Sequence, residues 1–227
     1  MTLTPVQEDA WLVIPLYEEA RVVEDVLREA RAVFPHVVCV DDASRDHSAE
    51  RARAAGAVVV QHPFNLGQGA ALQTGMRYVL EATDAAYLVT FDADGQHRPQ
   101  DAAEMVQRAR DEHLAIVFGS RFLDRRTRPG LLKKLVLKAA VWLTNQQTGM
   151  KLTDAHNGLR VIRRDAAVRL DLRQNRMAHA TEIVLQLGRT GLPWAEHPVH
   201  VLYTDYSRAK GQSLMNSVNI LVDTILK

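Results

Sequence analysis

The chain is expected to fold as a single α/β domain around a mostly parallel sheet with helices on both faces. Three observations predict this. Short runs that are apolar throughout recur along the first half, as strands do when both their faces are covered. Stretches with apolar residues at helical spacing separate those runs, which is the pattern of a parallel sheet. The runs end in acidic or polar residues, and open sheets of this kind bind ligands beyond the carboxyl ends of their strands.

The elements follow in order. Trp11 to Pro15 is a short strand closed by proline. Glu18 to Phe34 carries Val22, Val23, Val26, Leu27, Ala30 and Val33 at helical spacing. His36 to Val40 is a Val-rich strand, and Ser44 to Ala55 a polar-faced helix that Ser44 or Asp46 can cap. Strands are expected at Ala57 to Gln61, Ala86 to Phe91 and Leu114 to Phe118, with helices at Gly69 to Glu81 and Pro99 to Glu112. The second half is less regular. It offers an apolar helix at Leu131 to Thr144 and a strand at Asn157 to Arg163. A helix at Ala180 to Arg189 is stopped by Gly191 and Pro193. An extended segment at Trp194 to Tyr203, a polar loop at Thr204 to Ser213 and an amphipathic helix at Ser213 to Lys227 complete the chain. No repeat or linker divides the 227 residues, so one domain is expected.

Composition excludes several classes. An apolar share of 47% with 24% charged residues is that of an ordinary globular protein. The net charge of +1 lacks the basic excess of a nucleic-acid binder, so no nucleic-acid partner is expected. A single cysteine, Cys39, allows no intramolecular disulfide and fits a reducing compartment. No leader peptide is visible, and no apolar run reaches the ~18 residues of a membrane span. A cytoplasmic location follows as the expectation. The first strand is not followed by Gly-x-Gly-x-x-Gly, and no Gly-Lys-Ser/Thr loop occurs, which removes the dinucleotide and P-loop readings.

The sharpest chemical feature is Asp92-Ala93-Asp94-Gly95-Gln96-His97 after the fourth strand. Two carboxylates one residue apart in extended backbone project to the same side. With the neutral oxygen of Gln96 they suit Mg²⁺ or Mn²⁺ that keeps positions open for water or phosphate. In isolation, Asp-x-Asp-Gly is more readily a turn. Two further strand ends shift that balance: Pro15-Leu16-Tyr17-Glu18-Glu19 and Asp41-Asp42-Ala43-Ser44 deliver polar groups to the same edge. Gly67 and Gly69, in Asn65-Leu66-Gly67-Gln68-Gly69, are expected to leave N–H groups free at a helix start for an anion or a base edge, or else to make only a tight turn.

These motifs, with Gly119-Ser120-Arg121-Phe122 next in line, come in the order and spacing of family-two glycosyltransferases. The chain resembles their polyprenol-phosphate branch, the dolichol-phosphate mannosyltransferase-like enzymes. Lys151-Leu152-Thr153-Asp154, Asn157-Gly158-Leu159-Arg160 and the Arg208 to Ser213 loop resemble the same branch, so nearly the whole chain is covered. The resemblance implies a GT-A fold, a UDP or GDP sugar as donor and Mg²⁺ or Mn²⁺ as cofactor. A nucleotide-sugar half over about residues 9–122 and an acceptor half over about 123–227 follow. Carried over by motif, Pro15, Tyr17, Glu19, Val40 and Asp42 would line the nucleoside pocket. Asp92, Asp94 and Gln96 would hold the metal and, through it, the donor diphosphate, and Ala93, Gly67 and Gly69 would also contact the nucleotide sugar. Arg121, Arg208 and Lys210 would reach phosphate oxygens. Two departures stand out: Glu18 replaces a common Asn, and Leu214 stands where the branch commonly has Lys after Gly-x-Ser.

The implied reaction inverts the sugar carbon by in-line attack. A hydroxyl acceptor needs a general base. Polymerising relatives use Asp in a Glu-Asp pair, and Thr181-Glu182-Ile183 lacks that Asp. A phosphate acceptor is already anionic, so polyprenyl phosphate is the expected acceptor. Asp154 is the first choice for an acceptor-site or base residue, Glu182 the second, and Arg121 assists departure of the diphosphate. Trp142 and Lys133, Lys134 and Lys138 make the Leu131 helix a candidate interfacial segment, or an ordinary core helix. A lipid acceptor calls for a peripheral position at the inner membrane face or a separate membrane subunit. A homo-oligomer is a further expected partner. Two other readings compete: the same donor with a glycan or small-molecule hydroxyl acceptor, and a nucleotide-sugar-binding module without turnover. His97, His156 and His179 are expected to be scaffold rather than catalysts.

Overall fold

A computed structural model describes residues 4–123, 141–142, 144–155, 157–176 and 178–202. Residues 131–140 and 143 of the expected Leu131 to Thr144 helix, the expected helix over 213–227, the 204–213 loop, Lys133, Lys134, Lys138, His156, Arg208 and Lys210 lie outside the described residues, while residues 141–142 and 144–148 are helical.

Among the described residues the sheet has seven strands, β1 (Ala10–Leu16), β2 (His36–Asp41), β3 (Val58–Gln61), β4 (Tyr87–Thr90), β5 (Ile116–Ser120), β6 (Arg160–Arg163) and β7 (Trp194–Pro198). Their order is β3-β2-β1-β4-β6-β5-β7. The pairs β1·β2, β1·β4, β2·β3 and β5·β7 are parallel, whereas β6 runs antiparallel between β4 and β5. The mostly parallel α/β sheet predicted from the sequence is therefore present, with one reversed strand that the apolar pattern did not mark.

The helices are α1 (Val23–Arg31), α2 (Ser48–Ala54), α3 (Gln68–Ala82), α4 (Pro99–Asp111), the short α5 (Arg164–Ala167) and α6 (His179–Arg189). Alternation along β1 divides the core. Leu12, Ile14 and Leu16 pack with Val23 and Leu27 of α1, Ala52 of α2 and Met105 and Val106 of α4. Val13 faces the other way, into the cluster of Leu72, Met76 and Val79 of α3 and Ile183, Val184 and Leu187 of α6. Each fully buried Leu, Ile or Val contributes about 1.5–3 kcal/mol. Helices thus cover both faces, and the carboxyl ends of β1, β2, β4 and β5 are left to build a site. Among the described residues β3 and β7 are the edge strands, and Val58 of β3 is exposed.

Several boundaries differ from the expected ones for a local reason. The Glu18 helix begins only at Val23, because residues 17–22 form a turn instead. Ser44 and Asp46 do not cap the next helix from its N-cap position, which His47 takes. They reach across to that turn: Ser44, Ser48 and Asp46 accept the N–H groups of Glu18, Glu19 and Ala20 at 2.9, 2.8 and 3.1 Å. The expected Asn157 strand is shortened to Arg160–Arg163, and the expected Leu114 strand is shifted to Ile116–Ser120.

Candidate active site

Three strand ends form one wall. Pro15 of β1 is the register partner of Val40 of β2, which brings the expected nucleoside-pocket residues side by side. Tyr17 follows β1 and is exposed, while Glu19 is buried beside the clamped turn. Glu18 and Ala43 both hold positive φ, +53° and +61°, which costs energy in residues with a Cβ. Val40 departs from expectation. It is fully buried, with its methyl under Gly75 of α3, so its side chain belongs to the core rather than to a pocket wall.

Asp42 also does something the motif did not foretell. Its Oδ1 accepts the N–H of Leu66 at 2.8 Å and its Oδ2 that of Gly67 at 2.7 Å. His62 donates from Nδ1 to Oδ1 at 2.7 Å and accepts from Thr74 through Nε2 at 2.9 Å. Asp42 therefore fastens the 65–67 loop to the sheet. The adjacent Asp41 keeps one buried oxygen, Oδ1, without a partner among the described residues.

The free N–H groups expected at Gly67 and Gly69 are not free. Gly67 gives its own to Asp42, and Gly69 donates to the carbonyl of Asn175 at 2.8 Å. Both glycines are there for close approach. A Cβ on either would run into the backbone carbonyl of Asn175 or Gln174. The 173–175 segment is held from its other side by Glu182, which accepts the N–H groups of Arg173 and Gln174 at 3.0 and 2.8 Å. Glu182, the second candidate for a base, is spent on backbone donors.

Asp92 and Asp94 leave β4 together. Asp92 accepts from His97 Nε2 at 2.9 Å and from Gln68 Nε2 at 3.3 Å. Burial works against its charge, but His97, Arg160 and His179 outweigh burial and hold its pKa below the usual value. Asp94 is pushed up to about 6, first by burial and then by the Asp92 carboxylate, despite the N–H of Gln96. Two carboxylates in this relation repel, and a hard divalent cation relieves that repulsion. The donor set thus fits Mg²⁺ or Mn²⁺. No group of three or more His, Cys, Asp or Glu side chains among the described residues could enclose a metal alone, so water or phosphate oxygens would complete the shell. Gln96 differs from its expected part. Its amide nitrogen donates to Asp94 Oδ2 at 2.7 Å, and only the turned-over amide would present oxygen. Ala93 is buried between the two acids.

The acceptor side is built on Arg121 and Asp154. Arg121 donates through Nε at 2.6 Å and Nη2 at 3.2 Å to the two oxygens of Asp154, a bidentate ion pair buried on both sides. Glu196 of β7 lies behind it, accepting the N–H groups of Thr153 and Asp154 at 2.8 and 3.1 Å. Burial raises its pKa, and those two N–H groups oppose the rise. Sequence reasoning missed Glu196, since nothing in Trp194-Ala195-Glu196-His197-Pro198 marks it. It also passed over Arg160, quoted in a motif but given no role. The signal was present: an arginine inside Leu159-Arg160-Val161-Ile162, otherwise apolar. His97 and His179 are scaffold as expected, His179 donating from Nδ1 to the Arg176 carbonyl at 2.7 Å. The segment after β7 returns to the acidic motif, with Leu202 N–H donating to the Gln96 carbonyl at 2.9 Å.

The family model of glycosyl transferase family 2 matches residues 11–170, which span every one of these strand-end motifs. The chain belongs to glycosyltransferase family 2. Among relatives, an uncharacterized protein of Methanocaldococcus jannaschii is 29% identical over 226 residues, covering 97% of this chain and 93% of its own length. The UDP-N-acetylglucosamine–dolichyl-phosphate N-acetylglucosaminyltransferase of Methanococcus voltae is 28% identical over 227 residues, covering 90% of each. Among solved structures, glucosyl-3-phosphoglycerate synthase of Mycobacterium tuberculosis in complex with Mn²⁺, UDP and glucosyl-3-phosphoglycerate superposes with a TM-score of 0.68. That match covers 95% of this chain and 79% of the other at 18% identity, and shows the GT-A-like fold. Among the described residues no helix is long and apolar enough to cross a membrane.

Proposed function

We propose that this glycosyltransferase moves a sugar from a nucleoside-diphosphate sugar to a polyprenyl phosphate, with inversion at the sugar carbon. The observation that carries this reading is the engagement of the acceptor-side acids. Asp154 gives both oxygens to Arg121, Glu182 caps backbone N–H groups, and Glu196 does the same. A hydroxyl acceptor needs a base with an open lone pair. A phosphate monoester carries its own negative charge near neutral pH and asks for cationic neighbours instead. The relative named for dolichyl phosphate supports the same acceptor class.

In this reading Asp92 and Asp94 hold a divalent cation, with Gln96 as a further donor once its amide turns. Bound Mg²⁺ or Mn²⁺ would supply charge neutralisation of the departing diphosphate. The turn at 17–20 and the 65–67 loop shape the nucleoside pocket, with Tyr17 packing against the base or ribose. Arg121, kept in place by Asp154, faces the charge that develops on the phosphates, and Arg208 and Lys210 would add to it. An oxygen of the acceptor phosphate attacks the anomeric carbon as the bond to the diphosphate breaks, and the bonding electrons leave with the nucleotide. Access to a lipid acceptor places the enzyme at the cytoplasmic face of a membrane.

The test is a turnover assay with UDP and GDP sugars, Mn²⁺ and three acceptors: polyprenyl phosphate, free polyprenol and soluble sugars. Product with polyprenyl phosphate and little with polyprenol is the expected outcome. Transfer to a soluble hydroxyl with none to polyprenyl phosphate would overturn the acceptor assignment, and absence of turnover with any donor would overturn catalysis.

A further inference from the structure

Asp154 holds Arg121 twice. Besides the bidentate pair made by the guanidinium, the backbone N–H of Arg121 donates to Asp154 Oδ2 at 3.2 Å. One carboxylate thus grips both ends of the residue, so moving that carboxylate moves Arg121. Asp154 lies outside any helix or strand, and its backbone needs an anchor. Glu196 of β7 supplies it. Its Oε1 accepts the N–H groups of Thr153 and Asp154 at 2.8 and 3.1 Å, and Oε2 shares the Thr153 N–H at 2.9 Å. The Thr153 hydroxyl donates to Oε1 at 3.1 Å. A hydroxyl has one proton, so the 2.6 Å contact between Thr153 Oγ1 and Ser120 Oγ is donated by Ser120. Ser120 Oγ in turn accepts the N–H of Phe122 at 3.2 Å. The hydrogen bonds flanking Arg121 therefore run one way, from Phe122 through Ser120 and Thr153, and end on Glu196. An ionised carboxylate suits the end of such a chain because it only accepts. Glu196 is itself fixed: it is the register partner of Phe118 in β5, and its carbonyl accepts Arg108 Nη1 of α4 at 2.6 Å.

We propose that Glu196 is a positioning residue for sugar transfer: by fixing Thr153 and Asp154 it aims the Arg121 guanidinium at the phosphates of the departing nucleotide. It acts through Asp154 and needs no contact with the substrate. The inference rests on the role given to Arg121 in the proposed reaction, and holds for either class of acceptor. A group that acts on charge developing in the transition state is read in kcat more than in KM. Misplacing such a group by about 1 Å can lower the rate up to ~100-fold.

The test is a double-mutant cycle on turnover by the full chain. Glu196→Gln keeps the shape of the side chain, but in either orientation its amide N–H groups meet a backbone donor of Thr153. With donor and polyprenyl phosphate saturating, its kcat should fall about tenfold or more, with donor KM within about threefold of wild type. In an Arg121→Lys background the same substitution should cost less than about twofold, because the planar fork that Glu196 aims is gone. Thr153→Val removes the hydroxyl link and keeps both backbone N–H groups. It should lower kcat about threefold, again only where Arg121 is present. Circular dichroism checks that each variant is folded at the assay temperature. A role in stability alone would leave kcat of the folded Gln variant unchanged, or would cost the same factor in both backgrounds, and either result overturns the proposal. If the Gln variant does not fold, Thr153→Val decides: an undiminished kcat, or an equal loss in both backgrounds, refutes the chain. Turnover with a soluble hydroxyl alone would overturn the acceptor assignment, and the cycle is then read with that acceptor. An Arg121→Lys kcat equal to wild type, or no turnover with any donor, would bring down the role of Arg121 itself, and the inference with it.

Discussion

Asp42→Ala separates two accounts of the nucleoside pocket. If Asp42 only touched the base, its loss would weaken nucleotide binding and leave the fold indifferent. The structure gives it a second task, holding the N–H groups of Leu66 and Gly67 and the ring of His62. Removing the carboxylate leaves two part-buried donors and one buried ring unpaired. Each lost partner costs about 1–3 kcal/mol, and the partial exposure of the loop argues for the bottom of that range, or about 3–4 kcal/mol in all. A domain of this size has about 5–15 kcal/mol in hand and stays folded. Its melting midpoint should fall by roughly 10 °C. Nucleoside-diphosphate affinity should fall with it, because the 65–67 loop is no longer tied to the sheet. Asp42→Asn keeps one acceptor oxygen and should fall about halfway between. Calorimetric melting and nucleotide titration of the three proteins are the measurements. A midpoint within about 2 °C of wild type in the Ala variant would refute the anchoring role.

Other outcomes follow from the same contacts. Gly69→Ala drives a methyl into the Gln174 carbonyl and should cost about 1–3 kcal/mol in urea unfolding; an unchanged midpoint would mean the 173–175 segment does not hold its place. Glu18→Asn puts a residue tolerant of left-handed backbone at φ +53° and should raise the melting midpoint by about 1–3 °C, whereas a drop would show that the glutamate side chain contributes more than the strain costs. Asp94 carries its proton up to about pH 6 in the folded chain, above its unfolded value. That proton must leave when a cation binds, so Mn²⁺ affinity should be level above pH 6 and fall as pH drops below it, approaching about tenfold per unit; a flat profile from pH 5 to 7 would exclude Asp94 as a ligand.

How far the sequence reveals this molecule depends on the range of the interactions. Strand and helix periodicity is local, and β1 to α4 were legible to within a few residues for that reason. The reversal of β6 was not, because a four-residue strand such as Arg160–Arg163, two apolar residues between two arginines, has the same pattern in either direction. The strand-end carboxylates were legible as a group. Which of them remain available was not, since their partners lie far along the chain: Asp42 with Gly67, Arg121 with Asp154, Glu196 with Thr153. A carboxylate given several N–H groups is scaffold, however catalytic its motif. By that measure Asp42, Asp154, Glu182 and Glu196 build the walls. Asp92 and Asp94 differ. They face each other's charge, and burial together with the Asp92 carboxylate leaves Asp94 raised to about 6. An added cation would therefore relieve more repulsion at this pair than at any of the four wall carboxylates, which is why the proposed metal site is drawn there.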